Sequence, residues 1–152
     1  MTDDTRLSTI LSGIAGEYFV AAELTRHGYI ASITLRNTRG VDILATHVVT
    51  KKAMTIQVKT SQGAKKKWVL DASVETAASD NHFFVFVNLN GITDRPSFHI
   101  VASSVVSIYC REGHAAWLAT PGRGGRPHGT SNVREFHDHE NRYLDQWDLL
   151  SL

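Results

Sequence analysis

The chain has 152 residues, which is enough for one domain with a hydrophobic core and too few for two ordinary domains. Hydrophobic residues make up 42% of the chain and charged residues 20%, a composition that excludes intrinsically disordered and collagen-like proteins. Sixteen Lys and Arg residues stand against fifteen Asp and Glu residues, giving a formal charge of +1. Any attraction to nucleic acid must therefore come from local patches of positive charge.

The sequence also indicates a compartment. Cys110 is the only cysteine and cannot form an internal disulfide. The N-terminus, MTDDTRLSTI, is acidic and polar where a signal peptide would be basic and then apolar. No apolar run approaches the ~20 residues that a membrane-spanning helix needs. We expect a cytoplasmic protein that does not contact the membrane.

The first predicted element is an amphipathic helix over residues 7–28, because apolar residues recur there at spacings of three and four. Glu17 lies on the apolar face of this helix, whereas Glu23 and Arg26 fall on the opposite face, which we expect to be solvated. A buried carboxylate needs a cation, a hydrogen-bond partner or a water-filled cleft. Alternatively, Glu17 lies at the edge of the apolar stripe and reaches water.

Three strands are predicted next, over residues 30–35, 41–49 and 54–60. The turn RNTRG separates the first two strands, and a turn at Lys51 and Lys52 separates the last two. The last pair is therefore expected to form a hairpin.

Three polar residues stand out in the strands of this hairpin. Asp42 stands in an otherwise apolar strand, although aspartate is a poor strand former. Gln57 and Lys59 are two residues apart, so the strand repeat places both on one face. Each also has a purely structural explanation: Asp42 could cap a turn, and Gln57 and Lys59 could form the solvent face of an edge strand.

The remaining chain alternates predicted loops with short elements. We expect a basic loop at 61–67, strands at 68–70, 83–89 and 98–101, a weak helix at 72–79, a helix at 103–111 that begins at a Ser cap, a Gly- and Arg-rich loop at 121–128, and an apolar C-terminal cluster at 143–150 that packs back on the domain. The apolar FFVFV stretch at 83–87 offers a surface for a possible homodimer.

Three stretches together resemble the PD-(D/E)XK nuclease superfamily: GEYFVAAEL at 16–24, GVDILA at 40–45 and IQVKT at 56–60. In that superfamily a helix carries a glutamate, a strand carries an aspartate, and a following strand ends in an acid or amide, an apolar residue and a lysine. The resemblance covers the first sixty residues. Within the superfamily, these motifs are similar to those of archaeal Holliday-junction resolvases and of small uncharacterised bacterial members. It implies a single α/β domain with a restriction-endonuclease-like core, in which helices flank a mixed β-sheet. The motif-bearing core would span about 7–102, and a helical and loop cap about 103–152.

The resemblance implies Glu17, Asp42, Gln57 and Lys59 as the catalytic set. The first three would bind Mg²⁺ or Mn²⁺, and Lys59 would orient or deprotonate the attacking water. Mg²⁺ prefers oxygen ligands and usually takes one or two carboxylates from the protein. Gln57 departs from the commonest pattern, because its amide oxygen brings no negative charge.

Two functions follow from this set. The protein is a Mg²⁺-dependent endonuclease that hydrolyses DNA phosphodiester bonds, or it is a catalytically inactive module of the same fold that binds nucleic acid or a protein partner. Lys65, Lys66 and Lys67, with Arg123 and Arg126, are candidates for phosphate contacts, although a basic loop can simply be solvated. A transition-metal protein using the eight histidines is the least favoured possibility, because no typical zinc spacing is present.

Overall fold

The computed structural model describes residues 6–35 and 38–151. In this part of the chain two helices and seven strands occur, in the order α1 (Thr9–Arg26), β1 (Tyr29–Ile33), β2 (Ile43–His47), β3 (Ala53–Ser61), β4 (Lys67–Asp71), β5 (His82–Asn88), β6 (Ser97–Ala102), α2 (Ser103–Ala119) and β7 (Val133–His137). Short 3₁₀ turns lie at Ala72–Thr76, Arg123–Gly125 and Trp147–Ser151. Neither helix is long and apolar enough to cross a membrane. Residues 36 and 37 of the predicted RNTRG turn lie outside the described residues.

The central sheet has five strands in the order β1-β2-β3-β5-β6. Strands β1, β2 and β3 pair antiparallel, β3 and β5 pair parallel, and β5 and β6 pair antiparallel, so the sheet is mixed. With α1 on one face and α2 on the other, the architecture is the α/β class expected from the sequence. The two strands on either side of the RNTRG turn and the following hairpin are also confirmed.

The FFVFV stretch at 83–87 forms the middle of strand β5. Alternate side chains of a strand point to opposite faces, and here both faces are covered. Phe83 and Val85 pack in the cluster beneath α1, whereas Phe84 and Phe86 pack in the cluster beneath α2. Every residue of the strand is buried. The prediction that this stretch offers a dimer surface is therefore wrong, because a strand at the centre of two packed layers has no free face.

Helix α1 begins at Ser8, whose hydroxyl accepts the Leu11 N–H at 3.2 Å as an N-cap. The expectation that Glu23 is solvated is wrong. Its carboxylate is buried and pairs with Arg26 at 2.7 Å and with Arg95 at 3.1 Å. Arg95 lies in the connection between β5 and β6, and this connection passes the face of α1 that carries Glu23. The helical pattern alone predicts that this face is exposed to solvent.

A second, two-stranded sheet of β4 and β7 covers the other face of the central sheet together with α2. Strand β7 falls in the segment expected to contain only helices and loops. Helix α2 continues to Ala119, beyond its predicted end, and Ser103 is not its cap: the Ser103 hydroxyl instead bonds the backbone of Ser79. The C-terminal cluster packs back as expected, with Trp147 and Leu150 in the core.

Candidate active site

Asp42 is held at the point where β2 begins. Its backbone N–H donates to the Ile56 carbonyl, and its own carbonyl accepts the Thr34 N–H, each at 2.9 Å. Its carboxylate oxygen Oδ2 accepts the backbone N–H of Val58 at 2.7 Å. Val58 is the residue between Gln57 and Lys59, so this bond fixes the acid to the part of β3 that carries the other two polar groups.

The alternation of β3 separates its apolar and polar side chains as predicted. Ile56 and Val58 are buried beneath α1, whereas Gln57 and Lys59 line an open cavity of about 570 Å³ on the opposite face. Asp71 of β4 and His82 of β5 line the same cavity. The cavity therefore joins polar groups from three strands that are distant in sequence.

The charges in this region interact. Burial raises the pKa of the Asp42 carboxyl, while the bond from Val58 N–H and the positive charges of Lys59 and His82 act to lower it. Burial likewise lowers the pKa of His82, opposed by a hydrogen bond with Thr55 and by Asp42. The charge of Lys59 therefore acts on the Asp42 carboxyl and favours its ionised form.

Asp71 brings a carboxylate to the cavity, whereas Asp42 is not among the described residues that line it. Hydrogen bonds from the hydroxyl and the backbone N–H of Ser73 lower the pKa of Asp71, and the charges of Lys59 and Arg39 lower it further. Sequence reasoning missed both Asp71 and His82. The pattern Asp-x-Ser signals the Asp71 cap of the 3₁₀ turn at Ala72–Thr76, but nothing near His82 marks it as a cavity residue.

Glu17 lies on the flank of α1 and is half-buried. The preceding residue, Gly16, packs directly against the side chain of Thr60, the residue after Lys59. Glu17 is therefore close along the chain to the contact between α1 and β3. It is not among the described residues that line the cavity of Gln57 and Lys59. Its role as a metal ligand stays a prediction.

The donors present fit a hard divalent cation that keeps much of its water. Asp42 offers a carboxylate and Gln57 an amide oxygen, and oxygen ligands of this kind suit Mg²⁺ and Mn²⁺. Within the described ranges, no group of three His, Cys, Asp or Glu side chains could hold a metal ion. An ion at Asp42 and Gln57 would thus depend on water and on a substrate phosphate for its remaining ligands.

The predicted phosphate contacts separate into two places. Lys65 and Lys67 line a groove of about 1020 Å³ that also includes Lys59. Lys66 instead holds the loop, because its carbonyl accepts the Asp138 N–H at 3.0 Å. Arg123 and Arg126 lie in the turn after α2 and are not among the described residues of the groove. The loop at 61–67 is thus positioned next to the candidate site, and the loop at 121–128 contributes nothing to the groove.

Comparison with known proteins supports the fold. No protein-family model and no characterised protein sequence matches the chain. The structure is similar to a bacterial homing endonuclease, I-Ssp6803I, with a TM-score of 0.58 and 15% identity over 96% of this chain and 94% of that one. It is also similar to the Holliday junction resolvase Hjc of Archaeoglobus fulgidus, with a TM-score of 0.48 and 13% identity over 83% of this chain and 84% of that one. The likeness to the homing endonuclease, over nearly the whole of both chains, shows that the chain has the restriction-endonuclease-like fold that its motifs predict.

Proposed function

We propose that this restriction-endonuclease-like domain is a divalent-metal-dependent nuclease that hydrolyses phosphodiester bonds of DNA. The observation that carries the proposal is the bond from the Val58 N–H to the Asp42 carboxylate, with Lys59 acting electrostatically on the same acid. This bond ties the acid to the stretch of β3 that carries Gln57 and Lys59. An aspartate, an amide and a lysine in this chain order also occur in the nucleases that the motifs resemble.

Each residue has a role that follows from its chemistry. Asp42 and Gln57 would hold Mg²⁺ or Mn²⁺ through oxygen atoms, and Glu17 would supply a further carboxylate. A bound divalent ion supplies charge neutralisation at the scissile phosphate. Lys59, which lines the cavity, would orient the attacking water and stabilise negative charge that develops on the phosphate.

Incubation of the purified protein with plasmid, four-way junction and single-stranded DNA tests the proposal. We expect cleavage in Mg²⁺ or Mn²⁺ and none in EDTA. Asp42→Asn keeps an oxygen that can accept the Val58 N–H, so it removes the charge without removing the hydrogen bond. We expect Asp42→Asn and Lys59→Ala each to lower the cleavage rate by roughly 100-fold or more. Asp148→Asn, which removes an exposed carboxylate from the C-terminal 3₁₀ turn, is the matched control.

Two outcomes would contradict the assignment. Cleavage that persists unchanged in both Asp42→Asn and Lys59→Ala would show that these residues do not perform the chemistry. DNA binding without cleavage of any substrate, and without Mn²⁺ uptake in calorimetry, would favour the alternative of an inactive binding module. The uncharged Gln57 favours this alternative, because an amide gives a metal ion less negative charge than a carboxylate would.

The proposal includes DNA as the partner, contacted through Lys65, Lys66 and Lys67 and at a second place through Arg123 and Arg126. It also includes a cytoplasmic location and a homodimer, which would place two sites on two strands. Since β5 is buried, a dimer would have to use another surface. Light scattering at several concentrations distinguishes the monomer from the dimer.

A further inference from the structure

A basic groove adjoins the cavity that Asp71 lines. Its volume is about 1020 Å³, and Lys59 lines both the groove and the cavity. Its positively charged side chains are Arg6, Lys59, Lys65 and Lys67, and no Asp or Glu is among the described residues that line it. Although the net charge of the chain is only +1, four positively charged side chains, Lys59 among them, thus lie together along the groove.

The N-terminal segment is fastened to the wall of this groove. The Gln62 side chain makes two hydrogen bonds to the backbone of Leu7: its Oε1 accepts the Leu7 N–H at 2.8 Å, and its Nε2 donates to the Leu7 carbonyl at 2.6 Å. Ser8 then caps α1. Arg6 is therefore next to a backbone segment that two hydrogen bonds and the start of α1 hold in place.

The cations of the groove are not equivalent. Lys67 is 2.7 Å from the Glu135 carboxylate, so part of its charge is already balanced within the protein. Lys59 has a proposed role in the reaction. Arg6 and Lys65 line the groove without such a role, and both are exposed. They are the groups best placed to meet a negatively charged partner.

We propose that this groove binds the phosphate backbone of the DNA strand that continues from the scissile bond, with Arg6 and Lys65 as phosphate contacts. Gln62 acts as a positioning residue, because it holds the segment that carries Arg6. The inference rests on the proposed nuclease function and deepens it by naming the path of the substrate. Contacts of this kind position the nucleic acid without reading its sequence.

Binding of fluorescein-labelled DNA in EDTA, measured by anisotropy at several salt concentrations, tests the groove without requiring cleavage. Each phosphate contact that is lost should reduce the slope of log affinity against log salt by about 0.7 to 0.9, and the affinity at 100 mM salt by roughly 5- to 10-fold. We expect this for Arg6→Ala and for Lys65→Ala, with the same effect for random-sequence DNA of different composition.

Lys51→Ala is the matched control. It removes one exposed lysine from the β2–β3 turn, at the opposite end of β3 from the groove, roughly 25 Å from Lys59 along the strand. The control changes the net charge by the same amount as Lys65→Ala. We expect it to change neither the slope nor the affinity by more than twofold.

A double-mutant cycle separates positioning from direct contact at Gln62. If Gln62 acts through Arg6, Gln62→Ala lowers DNA affinity in the wild-type background and has no effect in the Arg6→Ala background. An equal effect in both backgrounds would overturn the positioning role. Circular dichroism melting of each variant shows whether the fold is kept.

The failure of this inference is distinguishable from failure of the proposed function. If Arg6→Ala and Lys65→Ala bind DNA with an unchanged salt slope while Asp42→Asn abolishes cleavage, the groove proposal is wrong and the nuclease proposal stands. If the slopes fall as expected but no DNA is cleaved, the groove proposal stands alone. Parallel titrations with single-stranded DNA, duplex DNA and RNA identify the source of the phosphates. Tighter binding of RNA than of either DNA would overturn the assignment to DNA.

Discussion

At the level of single residues, Gln57 determines how much negative charge the candidate site can offer a metal ion. Gln57→Glu would add a carboxylate to the cavity that Lys59 and Asp71 line, without a change in side-chain length. We expect Mn²⁺ to bind at least roughly tenfold more tightly, which is about 1.4 kcal/mol, because ligand charge tunes the affinity for hard cations. Calorimetry on the purified variant measures this, with the exposed Gln146→Glu as the control. Equal affinities for wild type and Gln57→Glu would remove residue 57 from the metal site.

Cys110 gives a prediction that is independent of function. It is 2% exposed, and burial raises the pKa of its thiol to about 11. Because the thiolate is the reactive form, only about one molecule in a thousand carries it at pH 8. We expect a thiol reagent such as DTNB to label the folded protein roughly a hundredfold more slowly than the urea-unfolded chain. Labelling at the same rate in both states would show that Cys110 is accessible and not buried.

At the level of elements, the contact between α1 and β3 depends on the absence of a side chain at Gly16. A Cβ atom built there would lie 1.8 Å from Thr60 Oγ1, so Gly16→Ala should destabilise the fold by about 1 to 3 kcal/mol through overpacking. Gly13→Ala is the matched control, because a Cβ at Gly13 meets no atom within 4 Å. Alanine is the better helix former, so this control should stabilise the protein by about 0.5 to 1 kcal/mol. Urea unfolding measures both.

Thr60→Ser in the Gly16→Ala background refines this prediction. Loss of the threonine methyl group gives the remaining hydroxyl more rotational freedom, so part of the lost stability should return. The Thr60 hydroxyl makes no hydrogen bond within the described part of the chain, so no bond is lost by its movement. If Gly16→Ala and Gly13→Ala were equally stable, the helix would not approach β3 as closely as described.

The elements differ in how far sequence could predict them. The hairpin of β2 and β3 was predictable because its alternation, its turn and its polar residues lie within about twenty neighbouring positions. For the same reason, the common face of Gln57 and Lys59 followed from local periodicity. Strand β7 was not predicted, because VREFH is short and its partner β4 lies more than sixty residues earlier. Asp71 and His82 enter the cavity through tertiary contacts of β4 and β5, which no local pattern encodes.

At the level of the whole molecule, a buried pair joins the C-terminal part to the central sheet. His99 of β6 is completely buried, and its Nδ1 is 2.6 Å from the Asp138 carboxylate, which follows β7. Asp138 also accepts the backbone N–H groups of Arg142 and Tyr143, at 2.8 and 3.0 Å. The Ile100 N–H in turn donates to the Tyr143 carbonyl at 2.9 Å. Asp138 thus fixes the chain that leads to the C-terminal core residues.

This pair predicts how stability changes with pH. Burial alone would raise the pKa of Asp138, but the hydrogen bonds from His99, Tyr143 and Arg142 outweigh it, and the pKa in the folded state is lowered. The unfolded chain therefore binds this proton more readily, so the contribution to stability is present above about pH 4 and is lost as pH falls through the folded pKa. Asp138→Asn should lower the unfolding free energy at pH 7 by about 3 kcal/mol. The difference from wild type should shrink as the pH falls below about 4.

Urea unfolding of wild type and Asp138→Asn across this pH range measures the effect as a difference. The comparison with wild type is needed because Asp71 and Glu135 also have lowered pKa values and contribute to the acid sensitivity of both proteins. Asp148→Asn, at an exposed site, should follow the wild-type curve. A constant gap between wild type and Asp138→Asn from pH 7 to pH 2.5 would mean that the charge of Asp138 does not hold the C-terminal part. The loss would then arise from altered packing alone, since only a titrating charge makes the gap depend on pH.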